Sequence, residues 1–148
     1  MLFRSLSDAE SAYQWLATQE NPNRIYIFGY SVGTGIALSV ASKHLQNPVF
    51  LVAAYDSLLN VALEKTNALL PVSLIIRYPL DTQKWLDAIK QPIYLIHGDS
   101  DTLIPPAHAM QLVENAKGKA KIEWVKDTGH AQDSLWVYRN QWLKRLLP

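Results

Sequence analysis

At 148 residues the chain has room for one domain with one core. Its formal net charge of +1, from 14 basic and 13 acidic side chains, includes no basic run that could track phosphates, so nucleic acid is not an expected partner. Without cysteine there is no disulfide, thiolate nucleophile or cysteine metal site; without a secretory segment or an apolar run of about 20 residues, the expected setting is the cytoplasm and no membrane span is expected.

Ser7 and Glu10 have the S-x-x-E spacing of a capping box and predict a helix over 7–19, with Ala9, Ala12, Tyr13, Leu16 and Ala17 at helical spacing. Asn21-Pro22-Asn23 turns the chain into "RIYIFGY", a short strand rich in β-branched and aromatic residues. Residues 31–45 read as a helix with Val32, Ile36, Val40 and Ala41 on one face, ended by Asn47-Pro48. "VFLVAAY" is apolar throughout, as strands buried on both faces are. Residues 56–90 are helical and uneven, with candidate helices over 61–70 and 82–89 separated by Pro71 and Pro79; this insertion is either a lid over an acyl pocket or a plain connection. "PIYLIHG" is a third strand, Pro105-Pro106 opens a helix that Gly118 closes, "AKIEWVKD" is a fourth strand, and 132–147 forms a last amphipathic helix carrying Leu135, Trp142 and Leu146. Lys117, Lys119 and Lys121 read as a solvated helix end.

Strands alternating with helices predict an α/β fold: a parallel sheet of about four strands with helices on both faces and right-handed crossovers. No linker divides residues 1–148. Sites in such sheets form beyond the carboxyl ends of the strands. Those ends carry Gly29-Tyr30-Ser31-Val32-Gly33, then Asp56 and Ser57, then "HGDSDTLIP", then "DTGH". A serine, several aspartates and a histidine thus converge on one edge. A nucleophile lifted above a sheet needs a tight strand-to-helix turn, and Gly29 and Gly33 remove side chains that would collide there. Ser31 then stands at a helix N-terminus, where the N–H of Val32 is the natural oxyanion donor. Tyr30, beside it, is the expected substrate-binding side chain.

These segments resemble the α/β-hydrolase superfamily, in particular its peptidase-like and lysophospholipase-like serine hydrolases with a short helical insertion before the acid. "FGYSVGTG" resembles the nucleophile elbow, "YLIHGDSDTLIPP" the acid segment and "DTGH" the catalytic-histidine turn. The resemblance implies Ser31 as nucleophile, Asp101 as acid and His130 as base, acting on ester, thioester or amide bonds of a small acyl substrate through an acyl-enzyme. Asp99 is expected to be a turn residue and Asp56 to cap the helix after it. His44 and His108 are expected at helix ends, His108 exposed, and His97 in packing or hydrogen bonding. No cofactor is expected and no metal, since the four histidines lack ligand spacing with carboxylates.

The family's fold has about eight strands, and the resemblance covers only the later ones. The loop that supplies a second oxyanion N–H would lie earlier. A longer protein of which this is the C-terminal part, a late start of the reading frame, or another chain completing the sheet all fit. A homo-oligomer through an open edge at "RIYIFGY" is one such solution. A non-catalytic remnant or interaction module that keeps the triad residues is the second functional reading.

Overall fold

A computed structural model describes residues 2–66, 80–131 and 133–146. Helix α1 spans Leu2–Gln19 and a 3-10 turn Pro22–Arg24, followed by β1 Ile27–Tyr30, α2 Gly33–Ala41, β2 Val49–Val52, α3 Leu58–Lys65, α4 Gln83–Leu86, β3 Ile93–Gly98, α5 Pro106–Asn115, β4 Ala120–Val125 and α6 Asp133–Leu146. The strands form one parallel sheet in the order β1-β2-β3-β4. Register aligns Tyr30 with Val52 and Val52 with Ile96, so Ser31 and the residues after β2 leave the sheet at nearly one level.

Side-chain alternation divides the core. Ile27, Val49, Leu51, Ile93 and Leu95 face α1, α2 and α5, meeting Tyr13, Leu38, Ala41 and Leu112. Phe50, Val52, Ile96 and Val125 face the other way and meet Leu135, with Tyr30, Tyr94 and Leu143 packed alongside. Helices on both faces of a four-stranded parallel sheet are the architecture the alternation of elements predicts. The continuous apolar runs are explained as well: β2, between two strands and two helical layers, is buried at every position.

Several local expectations differ. The helix over 7–19 begins instead at Leu2, and the capping box does not form: Ser7 Oγ donates to the Arg4 carbonyl at 2.9 Å, while Glu10 meets His44 at 2.8 Å and Lys43 at 3.3 Å. Glu10 is taken by partners just after α2, which the local spacing cannot show. The strand expected to reach Tyr55 stops at Val52, because Ala53 turns to a φ of +52°; Ala53, Ala54 and Tyr55 stay fully buried as irregular chain. The helix expected to start at Ser31 starts at Gly33 and ends at Ala41. The C-cap of α5 is Ala116 rather than Gly118; the left-handed turn after it takes both Lys117, at φ +51°, and Gly118, at φ +82°. Of the insertion, α3 and α4 are described. The tail of the expected 61–70 helix, Pro71 and Pro79 lie outside the described residues, as do the side chains of Trp142 and Leu146.

Among the described residues β1 is an edge strand. Of the apolar residues in "RIYIFGY", Ile25 and Ile27 are buried against the helical layer at 5% and 7% exposure, whereas Tyr26 and Phe28 are exposed at 38% and 42%.

Candidate active site

The elbow is built by close approach. A Cβ on Gly29 would lie 2.7 Å from the Gly33 carbonyl oxygen and 2.8 Å from Ala37 Cβ, so only glycine lets β1 turn directly into α2. A Cβ on Gly33 would meet nothing within 4 Å among the described residues, so the expected collision at that position is absent. Gly35 has an unforeseen role: a Cβ there would sit 2.5 Å from the Tyr55 hydroxyl, which donates to the Val32 carbonyl at 3.0 Å. Burial raises the pKa of Tyr55, against the hydrogen bonds it makes, so the phenol stays a donor.

Ser31 has a φ of +52°, a left-handed conformation that costs a non-glycine residue about 1–3 kcal/mol and persists only where neighbours over-determine it. Here they do. The Ser31 N–H donates to the Val52 carbonyl at 3.0 Å, and the Thr34 N–H and hydroxyl donate to the Ser31 carbonyl at 2.9 and 2.8 Å. The Val32 N–H belongs to the first turn of α2, whose amides have no intrahelical partner.

Ninety-nine residues later, His130 closes on the serine: its Nε2 lies 2.9 Å from Ser31 Oγ and its Nδ1 2.8 Å from Asp101 Oδ2. A carboxylate only accepts, so Nδ1 carries the hydrogen and donates it to Asp101. Nε2 is then the acceptor for the Ser31 hydroxyl. Asp101 is itself fixed, its Oδ1 accepting from the N–H groups of Leu103 and Ile104 at 2.9 Å each. Its side chain is fully buried, whereas that of His130 is 13% exposed. A Cβ at Gly98 would overlap the Thr128 carbonyl; glycine at the end of β3 lets the histidine loop come this close.

The family model for the dienelactone hydrolase family matches residues 3–133, from the first helix through the histidine loop. The chain belongs to the dienelactone hydrolase family. A protein of Acanthamoeba polyphaga mimivirus, provisionally named an alpha/beta hydrolase, is 33% identical over 115 residues, covering 74% of this chain and 40% of its own length. The human alpha/beta hydrolase domain-containing protein 17B is 28% identical over 145 residues, 95% of this chain and 46% of its own. This dienelactone hydrolase family chain therefore spans less than half the length of these curated relatives. Among solved structures, a puromycin-hydrolyzing peptidase from Mycobacterium tuberculosis superposes with a TM-score of 0.74 at 18% identity, over 96% of this chain and 24% of that one. An esterase domain from Rhodothermus marinus gives 0.72 at 18% identity, over 95% of this chain and 68% of that one. These likenesses establish the α/β-hydrolase fold.

The remaining candidates of this family member are placed as follows. Asp56 does not cap α3: the N-cap is Ser57, which makes no side-chain capping bond, and Asp56 instead accepts from Asn60 at 2.6 Å and meets His108 Nδ1 at 2.6 Å. His108 is buried rather than exposed, its Nε2 meeting Glu64 at 2.8 Å, because α3 folds over the first turn of α5. Asp99 is exposed in the turn, where it accepts from Ser100 Oγ at 3.0 Å. His97 is fully buried and its Nε2–H donates to the Ile104 carbonyl at 2.9 Å, the hydrogen-bonding role expected of it. Tyr30 is half-buried, and its hydroxyl is occupied by the His130 carbonyl at 2.9 Å. Among the described residues no group of three or more His, Asp or Glu side chains could hold a metal, and no helix is long and apolar enough to cross a membrane.

Proposed function

We propose that residues 1–148 form one α/β-hydrolase-type domain whose Ser31, His130 and Asp101 act as a serine hydrolase triad on ester, thioester or amide bonds of a small acyl substrate. The single observation that carries this reading is the imidazole of His130, bonded through one nitrogen to a strained serine and through the other to a buried carboxylate. Ser31 Oγ attacks the carbonyl carbon while its proton passes to His130 Nε2. The Val32 N–H and the α2 dipole stabilise the oxyanion. As the intermediate collapses, the bond to the leaving group breaks and Nε2 returns the proton to that group, leaving an acyl-serine. Water then repeats the steps: His130 takes its proton, the carbon–Oγ bond breaks, and Ser31 regains its hydrogen. Asp101 holds the Nδ1–H tautomer throughout.

A fluorophosphonate probe tests this. Ser31 is expected to be the only serine labelled, and Ser31→Ala and His130→Ala are each expected to abolish labelling. Labelling that survives Ser31→Ala would place the nucleophile elsewhere.

A second reading, an interaction module, is favoured by one specific feature. Between α1, β1 and α2 lies a groove of about 380 Å³ lined by Leu16, Tyr26, Phe28 and Ile36, beside the free edge of β1. An edge strand with apolar neighbours recruits another strand, and a second copy of this chain is the simplest closed solution. Light scattering at high concentration is expected to give a dimer; a clean monomer would reject this contact without touching the triad.

A further inference from the structure

Resting on the serine-hydrolase reading above, we infer that Tyr30 is a positioning residue for the site: its hydroxyl holds the His130 backbone and so sets where Nε2 stands relative to Ser31 Oγ.

Tyr30 is the last residue of β1 and the immediate neighbour of Ser31. Its hydroxyl donates to the carbonyl of His130, 100 residues further on, at 2.9 Å. His130 lies in the loop between β4 and α6, where neither a strand ladder nor a helix supplies that carbonyl with a partner. The other fastenings of this loop sit two residues upstream at Thr128, whose carbonyl accepts from the Ser100 N–H at 3.1 Å and whose hydroxyl meets Ser134 at 2.9 Å. Among the described residues they leave the backbone of His130 itself to Tyr30. The strut is stiff. The phenol ring packs on Trp136 with centroids 4.9 Å apart and lies 5.5 Å from the imidazole. Burial, and then the charge of Asp101, raise the Tyr30 pKa, so the hydroxyl keeps its hydrogen for donation.

The arrangement has a mechanical consequence. Asp101, from the turn after β3, fixes how the imidazole rotates; the elbow fixes how far away it stands. Because Tyr30 and Ser31 are consecutive, one rigid strand end carries both the nucleophile and the brace that measures the distance to its base. A hydroxyl occupied in this way is not free to bind substrate, so this assignment replaces the substrate-binding role expected of Tyr30.

The test removes only the hydroxyl. In Tyr30→Phe the ring packing stays, and the fluorophosphonate labelling rate is expected to fall about tenfold to a hundredfold, the scale of a displacement near 1 Å. With an activated ester the loss is expected in kcat, with KM unchanged. A rise in KM with kcat intact would return Tyr30 to substrate binding. A Tyr30→Phe rate equal to wild type, with only Tyr30→Ala impaired, would reduce Tyr30 to packing. Both results overturn the inference. A second readout does not depend on activity: the proton NMR signal of the His130 Nδ1–H is expected to broaden or move in Tyr30→Phe, and an unchanged signal overturns the inference. If the wild-type chain does not label, or labels in Ser31→Ala, the hydrolase reading fails while this signal still decides the brace.

Discussion

Among the described residues two histidines are bonded through both ring nitrogens, and only one of them keeps an acceptor nitrogen. His130 lies between Asp101 and the hydroxyl of Ser31; His108, in the first turn of α5, lies between Asp56 at 2.6 Å and Glu64 at 2.8 Å. Carboxylates accept and do not donate, so His108 makes both contacts only by donating from both nitrogens. It has no lone pair left for a proton. A hydroxyl in place of the second carboxylate changes this, because it can donate, and His130 Nε2 is thereby left as an acceptor. Both sites are histidine–carboxylate pairs near one edge of the sheet. The identity of the third partner separates a ring that can accept a proton from a clamp. The clamp joins α3 to α5, and the Asp56 carbonyl accepts from the N–H and hydroxyl of Thr82 at 2.9 and 2.6 Å, which brings in the start of α4.

The sharpest way to break this comparison is to exchange the carboxylates. Asp101→Asn is expected to lower acylation by about 10⁴, because the amide favours the wrong imidazole tautomer. Asp56→Asn is expected to leave acylation within about threefold of wild type, because its carboxylate bonds to Asn60 and His108 rather than to Ser31, His130 or Asp101. Single-turnover kinetics with an activated ester measures both. Equal losses would mean that the clamp feeds the base and that the two sites are one.

Stability should divide the opposite way. His108→Ala removes two charge-assisted hydrogen bonds and leaves Asp56 without its main partner, an expected loss of about 2 kcal/mol. For a chain of this size that lowers the melting temperature by roughly 4–8 °C. Fluorophosphonate labelling, measured below the transition, is expected to stay at the wild-type rate. A variant as stable as wild type would show that α3 is held on α5 by packing alone.

The sequence displayed one of these sites and concealed the other for a physical reason. The elbow is local: Gly29, Ser31 and the start of α2 fall within five residues, and the turn they impose follows from sterics. Asp101 and His130 each sit in a loop after a strand, where the topology of a parallel sheet brings strand ends together. The clamp has no such pattern. Asp56, Glu64 and His108 lie on a loop and two helices, and their meeting depends on how α3 folds over α5, which no spacing encodes. Glu10 errs in the same way: its spacing from Ser7 suits a cap, but the carboxylate goes to His44, 34 residues away. The hydrogen bond from Tyr30 to His130 was hidden too, since a tyrosine beside the elbow serine reads equally well as a substrate contact.

His97 supplies a third case and the smallest expected effect. Its side chain is fully buried 3.6 Å from Asp101, its Nε2–H is given to the Ile104 carbonyl, and its Nδ1 has no hydrogen-bond partner among the described residues. Burial pushes its pKa below the usual imidazole value. This outweighs the Ile104 bond and the Asp101 charge, which act in the opposite direction, and the charges of His130 and His108 add to the depression. The ring is therefore neutral in the folded chain under conditions where the unfolded chain already binds the proton. With more protons bound in the unfolded state, stability rises with pH. As pH falls from the ordinary imidazole value near 6.5 toward the depressed folded value, stability is lost at up to about 1.4 kcal/mol per pH unit. The measurement is a difference, which cancels what other groups contribute over the same range. Urea midpoints at pH 7 and pH 5.5 are compared for wild type and His97→Gln, which retains a donor for Ile104 and has nothing to protonate. The wild type is expected to lose more stability on acidification than the variant, and equal slopes would mean that His97 takes up its proton inside the fold as readily as outside it.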